Sequence, residues 1–112
     1  MPKNNNHFLD RYSLVHAALG MLFEVSKVPS KLALGSHIAF EATEDSIKKI
    51  VKPIWPDTTP DGWQNHVGDI GSFMGGYYVA RSLKDSRAGE VAITAFVAAA
   101  AGLWIWQLLQ KQ

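Results

Sequence analysis

Hydrophobic and polar positions divide the chain into four stretches of helical period, separated by polar or proline-bearing breaks. The first stretch, about 11–27, is apolar almost all round: Leu14, Val15, Ala17, Ala18, Leu19, Met21, Leu22, Phe23 and Val25. Only His16, Gly20 and Glu24 interrupt it, each four residues from the last. A helix apolar on every side belongs in a deep core or a membrane, and its polar minority should face protein. Asp10 or Ser13 is placed to cap it, and Val28-Pro29-Ser30 to end it. Residues 1–10 read as a polar tail.

The second stretch, about 31–51, follows Ser30 as a plausible cap. His37, Glu41 and Glu44 fall at i, i+4 and i+7, which is one face of a helix. Glu44–Lys48 and Asp45–Lys49 are acid-first i, i+4 pairs, the pattern of a solvated helix end. Pro53 stops this helix, and residues 52–60 form a proline-punctuated loop carrying Trp55. Thr59-Pro60 then opens the third helix, about 60–83, with threonine as cap and proline at the first helical position. Asn65, Asp69 and Ser72 repeat the spacing of the polar stripe before the loop. Glycine costs roughly 1 kcal/mol against alanine inside a helix, so Gly68, Gly71, Gly75 and Gly76 need a packing reason. Gly71-x-x-x-Gly75 predicts close helix–helix approach, within the chain or in a homo-oligomer.

Arg81 to Glu90 reads as a polar turn before a fourth helix, about 90–110. Residues 91–109 carry no charge, and at ~1.5 Å per residue they nearly span a ~30 Å hydrocarbon core. Trp104 and Trp106, followed by Lys111, resemble an interfacial belt. The expected architecture is therefore all-α: one domain over residues 1–112, a four-helix polytopic membrane bundle with lipid as its surroundings. Counted over four spans, the loop bases lean towards both termini being cytoplasmic. The polar start, Met1 to Asn6, is not expected to be a cleaved leader.

Composition narrows the chemistry. The formal charge is +1 with scattered bases, which gives no electrostatic case for nucleic acid. Cysteine is absent, so disulfides, thiolate nucleophiles and cysteine-bound zinc are excluded. Mean hydropathy is only −0.02, an average of polar loops and one very apolar segment. No Ser-His-Asp order, phosphate-binding glycine loop or dinucleotide fingerprint is present.

The candidate site lies on the two polar stripes, which could equally serve as a buried hydrogen-bond network holding the bundle together. His37, Glu41, His66 and Asp69 are the candidate catalytic groups, since carboxylates partly desolvated in a bundle have raised pKa values and can move protons. The same four are candidate ligands for a divalent metal, because bundles build carboxylate–histidine sites from facing stripes. Glu44, Asn65, Asp61, Trp55 and Trp63 are candidate binding residues at the rim. The loop is only about nine residues long, which predicts antiparallel neighbours with Glu41 near the level of Asp69. His16 reads as a core histidine bonded to a neighbouring helix.

Asp61-x-x-x-Asn65-x-x-Gly68-x-x-Gly71, preceded by Glu41-x-x-Glu44, resembles the VanZ-like family of small four-span membrane proteins. The resemblance covers about 36–80 and implies a link to envelope glycans or glycopeptide tolerance. The chain departs from that pattern at Glu44, where a Gln is common, and in lacking an Arg before Asp61. Two functions follow as expectations. One is a membrane protein that binds or acts on a polar headgroup or lipid-linked envelope substrate. The other is a non-enzymatic structural or interaction subunit packing through its glycine-rich third helix.

Overall fold

The computed structural model describes residues 9, 12–51, 54 and 62–111. Among them the chain forms four α-helices and no strand: α1 (Ser13–Val25), α2 (Ser30–Ile50), α3 (Trp63–Leu83) and α4 (Arg87–Lys111). The candidate capping residue Asp10, the loop around Trp55, and the Thr59-Pro60 helix start fall outside the described residues.

Local chemistry sets the helix ends. Tyr12, rather than Ser13, occupies the position before α1, and no side chain caps it. The helix stops at Val25, ahead of the expected Val28-Pro29 break, because Lys27 adopts the left-handed conformation with φ 66°. Lys27 N–H then donates to the Glu24 carbonyl (2.9 Å) and Val28 N–H to the Phe23 carbonyl (3.0 Å). That pair of bonds is a Schellman closure, usually made with glycine. Pro29 rather than Ser30 precedes the first residue of α2. The break before α4 is tighter than the polar run Arg81–Glu90 implied. Ser86 Oγ accepts a hydrogen bond from Gly89 N–H (2.9 Å) and so caps α4. A Cβ on Gly89 would overlap the Leu83 carbonyl, so only glycine lets α4 start this close to the end of α3.

α1 and α3 run parallel and pack most closely of all the pairs. His16 meets Asp69 near one end of the pair, and Glu24 meets Arg81 and Lys84 near the other. Two glycines allow the approach: a Cβ on Gly20 would overlap the Phe73 carbonyl, and one on Gly76 would overlap the Ala17 backbone. This corrects the reading of Gly71 and Gly75 as the close-packing pair within the chain, because a Cβ at either meets nothing within 4 Å. The buried face of α3 carries Gly76 and not Gly75.

α2 returns antiparallel, laying Ala33 on Phe73 and Tyr77. Tyr77 Oη donates to the Val28 carbonyl (2.6 Å), tying the α1–α2 turn to α3. α4 also returns antiparallel, with Ile93 in a small core beside Met21 and Ala80. Further along α4, Trp104 stands edge-on to Tyr12 at 6.4 Å.

The expected four-span membrane bundle is not what forms. One described helix is long and apolar enough to cross a membrane, the Arg87–Gln110 stretch of α4, with mean hydropathy 1.8. α1 is apolar but has 13 residues, about 20 Å at 1.5 Å per residue, which is short of a ~30 Å core. α2 is long enough but carries Glu41, Glu44, Asp45, Lys48 and Lys49. α3 is diluted by Gln64, Asn65, His66, Asp69, Ser72 and Arg81. With one candidate span, loop charges counted over four spans no longer assign the termini to a side.

Candidate functional site

Three helices deliver the site. The polar minority of α1 is fully buried, with His16, Gly20 and Glu24 all turned inwards. From α2 come His37, Glu41 and Glu44, and from α3 Asn65 and Asp69, every one 5% exposed or less. His66, one residue from Asn65 on α3, is the more open member, its side chain a quarter exposed.

Glu41 is the hub. Its carboxylate lies 2.7 Å from His66 Nδ1, 3.4 Å from His37 Nε2 and 4.0 Å from His16 Nδ1. In the tautomer with its proton on Nδ1, His66 donates to Glu41 Oε1. The same nitrogen is 3.9 Å from Glu44. His16 presents its other nitrogen, Nε2, to Asp69 at 3.2 Å. One ligand-type atom from each of His16, Glu41, Glu44 and Asp69 lies within 4.8 Å of the others, and His16, His37 and Glu41 form an overlapping group. These are the groups able to hold a metal ion.

The ring of His37 lies flat against Phe73, with centroids 4.2 Å apart and planes 6° apart, and meets His16 edge-on at 5.1 Å. Burial pushes the His37 pKa down to about 4, helped by the neighbouring charge of His16 and opposed by a hydrogen bond to the Asp69 backbone. His37 is therefore neutral at pH 7, with a nitrogen able to act as an acceptor or ligand. Three buried atoms, His16 Nδ1, His37 Nε2 and Asp69 Oδ1, make no hydrogen bond among the described residues.

The antiparallel meeting of the His37/Glu41 stripe with the Asn65/Asp69 stripe is as the short loop required. Glu44 and Lys48 are buried and Lys49 is exposed, so the expected solvated end of α2 is only half solvated. Trp63 stands exposed at the start of α3. Ser72 turns to the groove between α1, α3 and α4, beside Ser13 and Ala17. Asp61 and Trp55 lie outside the described residues. His16 is buried and bonded to a neighbouring helix, as expected, and its partner Asp69 makes it a member of the site. Its four-residue spacing from Gly20 and Glu24 marked a face, but nothing in the spacing joined that face to a stripe on another helix.

A second charged cluster sits further along the α1–α3 pair. Glu24 is buried beside Lys84 and Arg81, and hydrogen bonding to Lys84 holds its carboxyl below the usual range against the opposing effect of burial. Arg81 also donates to Tyr77 Oη at 3.2 Å. Its cations satisfy its carboxylate, so it reads as a structural clasp.

No family model, curated protein or solved structure matches the chain. The VanZ-like pattern accordingly stays a resemblance.

Proposed function

We propose that this chain is a membrane-anchored protein that uses its buried His/Glu/Asp cluster to bind or act on a polar headgroup or lipid-linked substrate. The observation that carries the reading is the Glu41–His66 pair at 2.7 Å, with Glu41 buried and His66 partly exposed. A buried carboxylate that fixes a partly exposed imidazole forms an acid/base pair able to pass a proton to or from a bound group. Glu41 and Asp69 provide the inner charge, and His66 provides the access.

Membrane attachment is supported by α4. Only 17% of its most apolar window is buried inside the chain, and Val91, Ile105, Trp106 and Leu109 are exposed along it. A surface that apolar is normally covered by lipid or protein. The contact between Trp104 and Tyr12, one turn from His16, brings the tryptophan-bearing end of α4 to the level of the polar cluster. Aromatic residues favour the headgroup layer, so a headgroup held there would meet His66 from the interface.

The test is flotation of the purified full chain with vesicles, followed by binding of vesicles that differ only in headgroup. Wild-type protein should float and should prefer one headgroup class. His66→Ala and Glu41→Gln should float equally well and lose that preference. Failure to float would remove the membrane anchor, and a preference unchanged in both variants would remove the site.

A second reading is supported by the outward glycines. Gly71 and Gly75 leave open space on α3, a face suited to another helix in a homo-oligomer or a membrane assembly. On that reading Gly75→Leu lowers the oligomer mass measured by light scattering in detergent, and an unchanged mass rejects it.

A further inference from the structure

We propose that His16, Glu41, Glu44 and Asp69 bind a divalent transition-metal ion of the Mn(II), Fe(II) or Zn(II) class, with His37 and His66 at its edge. The proposal uses the same cluster as the headgroup reading but does not need a substrate, so either can fail alone.

Geometry comes first. One ligand-type atom from each of the four residues lies within 4.8 Å of the others. An ion about 2.0–2.2 Å from each nitrogen or oxygen needs ligand pairs roughly 3–4.4 Å apart. Side-chain movements of a few tenths of an ångström bring the set to that spacing. His16 and Glu41 also belong to the overlapping group with His37, so ligation can pivot on those two.

Charge points the same way. Glu41, Glu44 and Asp69 place three carboxylates within a few ångströms in a region screened from water. Acidic side chains gathered this closely in a buried region are favourable ground for a cation. Among the described residues Lys48, one turn beyond Glu44, is a buried cation on the same face of α2. A dication bound among the three carboxyl groups and His16 would join all three helices.

The polar atoms left over are the third observation. His16 Nδ1, His37 Nε2 and Asp69 Oδ1 are buried without a hydrogen bond among the described residues, whereas buried polar atoms in folded proteins nearly always have a partner. The two imidazole nitrogens face the Glu41 carboxylate at 4.0 and 3.4 Å. His37 is pre-oriented by the flat face of Phe73 and by the Asp69 backbone, as outer contacts orient metal-bound imidazoles. Mixed imidazole and carboxylate donors with no thiol favour Mn, Fe or Zn over Cu(I), and the imidazoles disfavour Ca or Mg.

The test uses the full chain in detergent, stripped with chelator and then titrated with Zn(II), Mn(II) and Co(II). Bound metal is counted by mass spectrometry after desalting, and Co(II) absorption reports nitrogen and oxygen ligation in the wild type without any variant. One ion per chain is expected, with a metal-dependent rise in Tm. His16→Ala, Glu41→Gln and Asp69→Asn should each weaken affinity by at least about tenfold, while Glu90→Gln at the start of α4 should leave it unchanged. Helical circular dichroism is read alongside each variant to confirm the fold. Sub-stoichiometric binding with no Co(II) spectrum in the wild type would overturn the proposal, as would affinity unchanged in folded His16→Ala and Asp69→Asn.

Discussion

His16 Nε2 and Asp69 Oδ2 stand 3.2 Å apart, joining the first helix to the third across the buried centre of the molecule. The contact is possible because α1 and α3 approach each other through glycine, and it draws a histidine from an otherwise apolar helix into a polar site. The packing of this pair and the chemistry of the cluster are therefore one problem.

The glycine crossing gives the first prediction. Gly20→Ala and Gly76→Ala place a methyl against backbone that cannot swing aside, and overpacking of this kind costs about 1–3 kcal/mol. Gly71→Ala meets open space and gains roughly up to 1 kcal/mol of helix propensity. Thermal unfolding in detergent should move down for the first two and level or up for the third. Equal tolerance at all three positions would show that the close approach does not exist.

Lys27 gives the second. A non-glycine residue in the left-handed conformation costs about 1–2 kcal/mol. Lys27→Gly should therefore raise stability, by about 0.5–1 kcal/mol after the entropy that glycine gains in the unfolded chain. Lys27→Ala, which keeps the strain, should not. A gain from alanine equal to that from glycine would place the effect in the lost charge instead.

A third prediction concerns acid stability. The Glu24 carboxyl is held below its ordinary value of 4.5, chiefly by Lys84. A carboxylate whose folded pKa is depressed contributes stability that is complete above its unfolded pKa and is lost as pH falls through the folded one. Wild-type stability should thus decline below pH 4.5 more steeply than that of Glu24→Gln, as read from denaturant midpoints. At neutral pH the variant should be weaker by only about 1 kcal/mol, because the side chains of Lys84 and Arg81, 36% and 52% exposed, can turn to water. Parallel acid profiles would remove Glu24 from the linkage.

The fourth prediction separates shape from charge at the hub. Glu41→Gln keeps an acceptor for His66, so the helices should stay docked. Glu41→Leu leaves the imidazoles of His16, His37 and His66 facing a hydrocarbon. Stranding buried polar groups in this way should cost about 3 kcal/mol. Hydrogen exchange along α2 should be near wild type in the first variant and much faster in the second.

Much of this was readable from residue order, and the gaps have physical causes. The stripes His37–Glu41–Glu44 and Asn65–Asp69 were legible because a period of four in apolar surroundings fixes a face, and a short loop fixes the pairing of faces. His16 escaped because a lone imidazole in an apolar helix has the same local pattern whether it fills a core or joins a site; only the tertiary packing separates the two. Gly71 and Gly75 fitted a contact motif, whereas Gly20 and Gly76 lie on different helices and share no spacing, and spacing does not say which face of a helix turns inwards. The membrane reading gave too much weight to apolar composition in α1 and too little to its length. In α2 the charged second half outweighs the apolar first half. α4 alone combined both properties.

The buried face of α2 has a further meaning. Among the described residues its fully covered positions are Ala33, His37, Glu41, Glu44 and Lys48, and only Ala33 is apolar. Hydrophobic adhesion therefore does little to hold this helix in place, and polar partners do most of it. Whatever neutralises or bridges the cluster also fastens the helix, and whatever removes that balance frees it. The polar site is in that sense the seam of the fold.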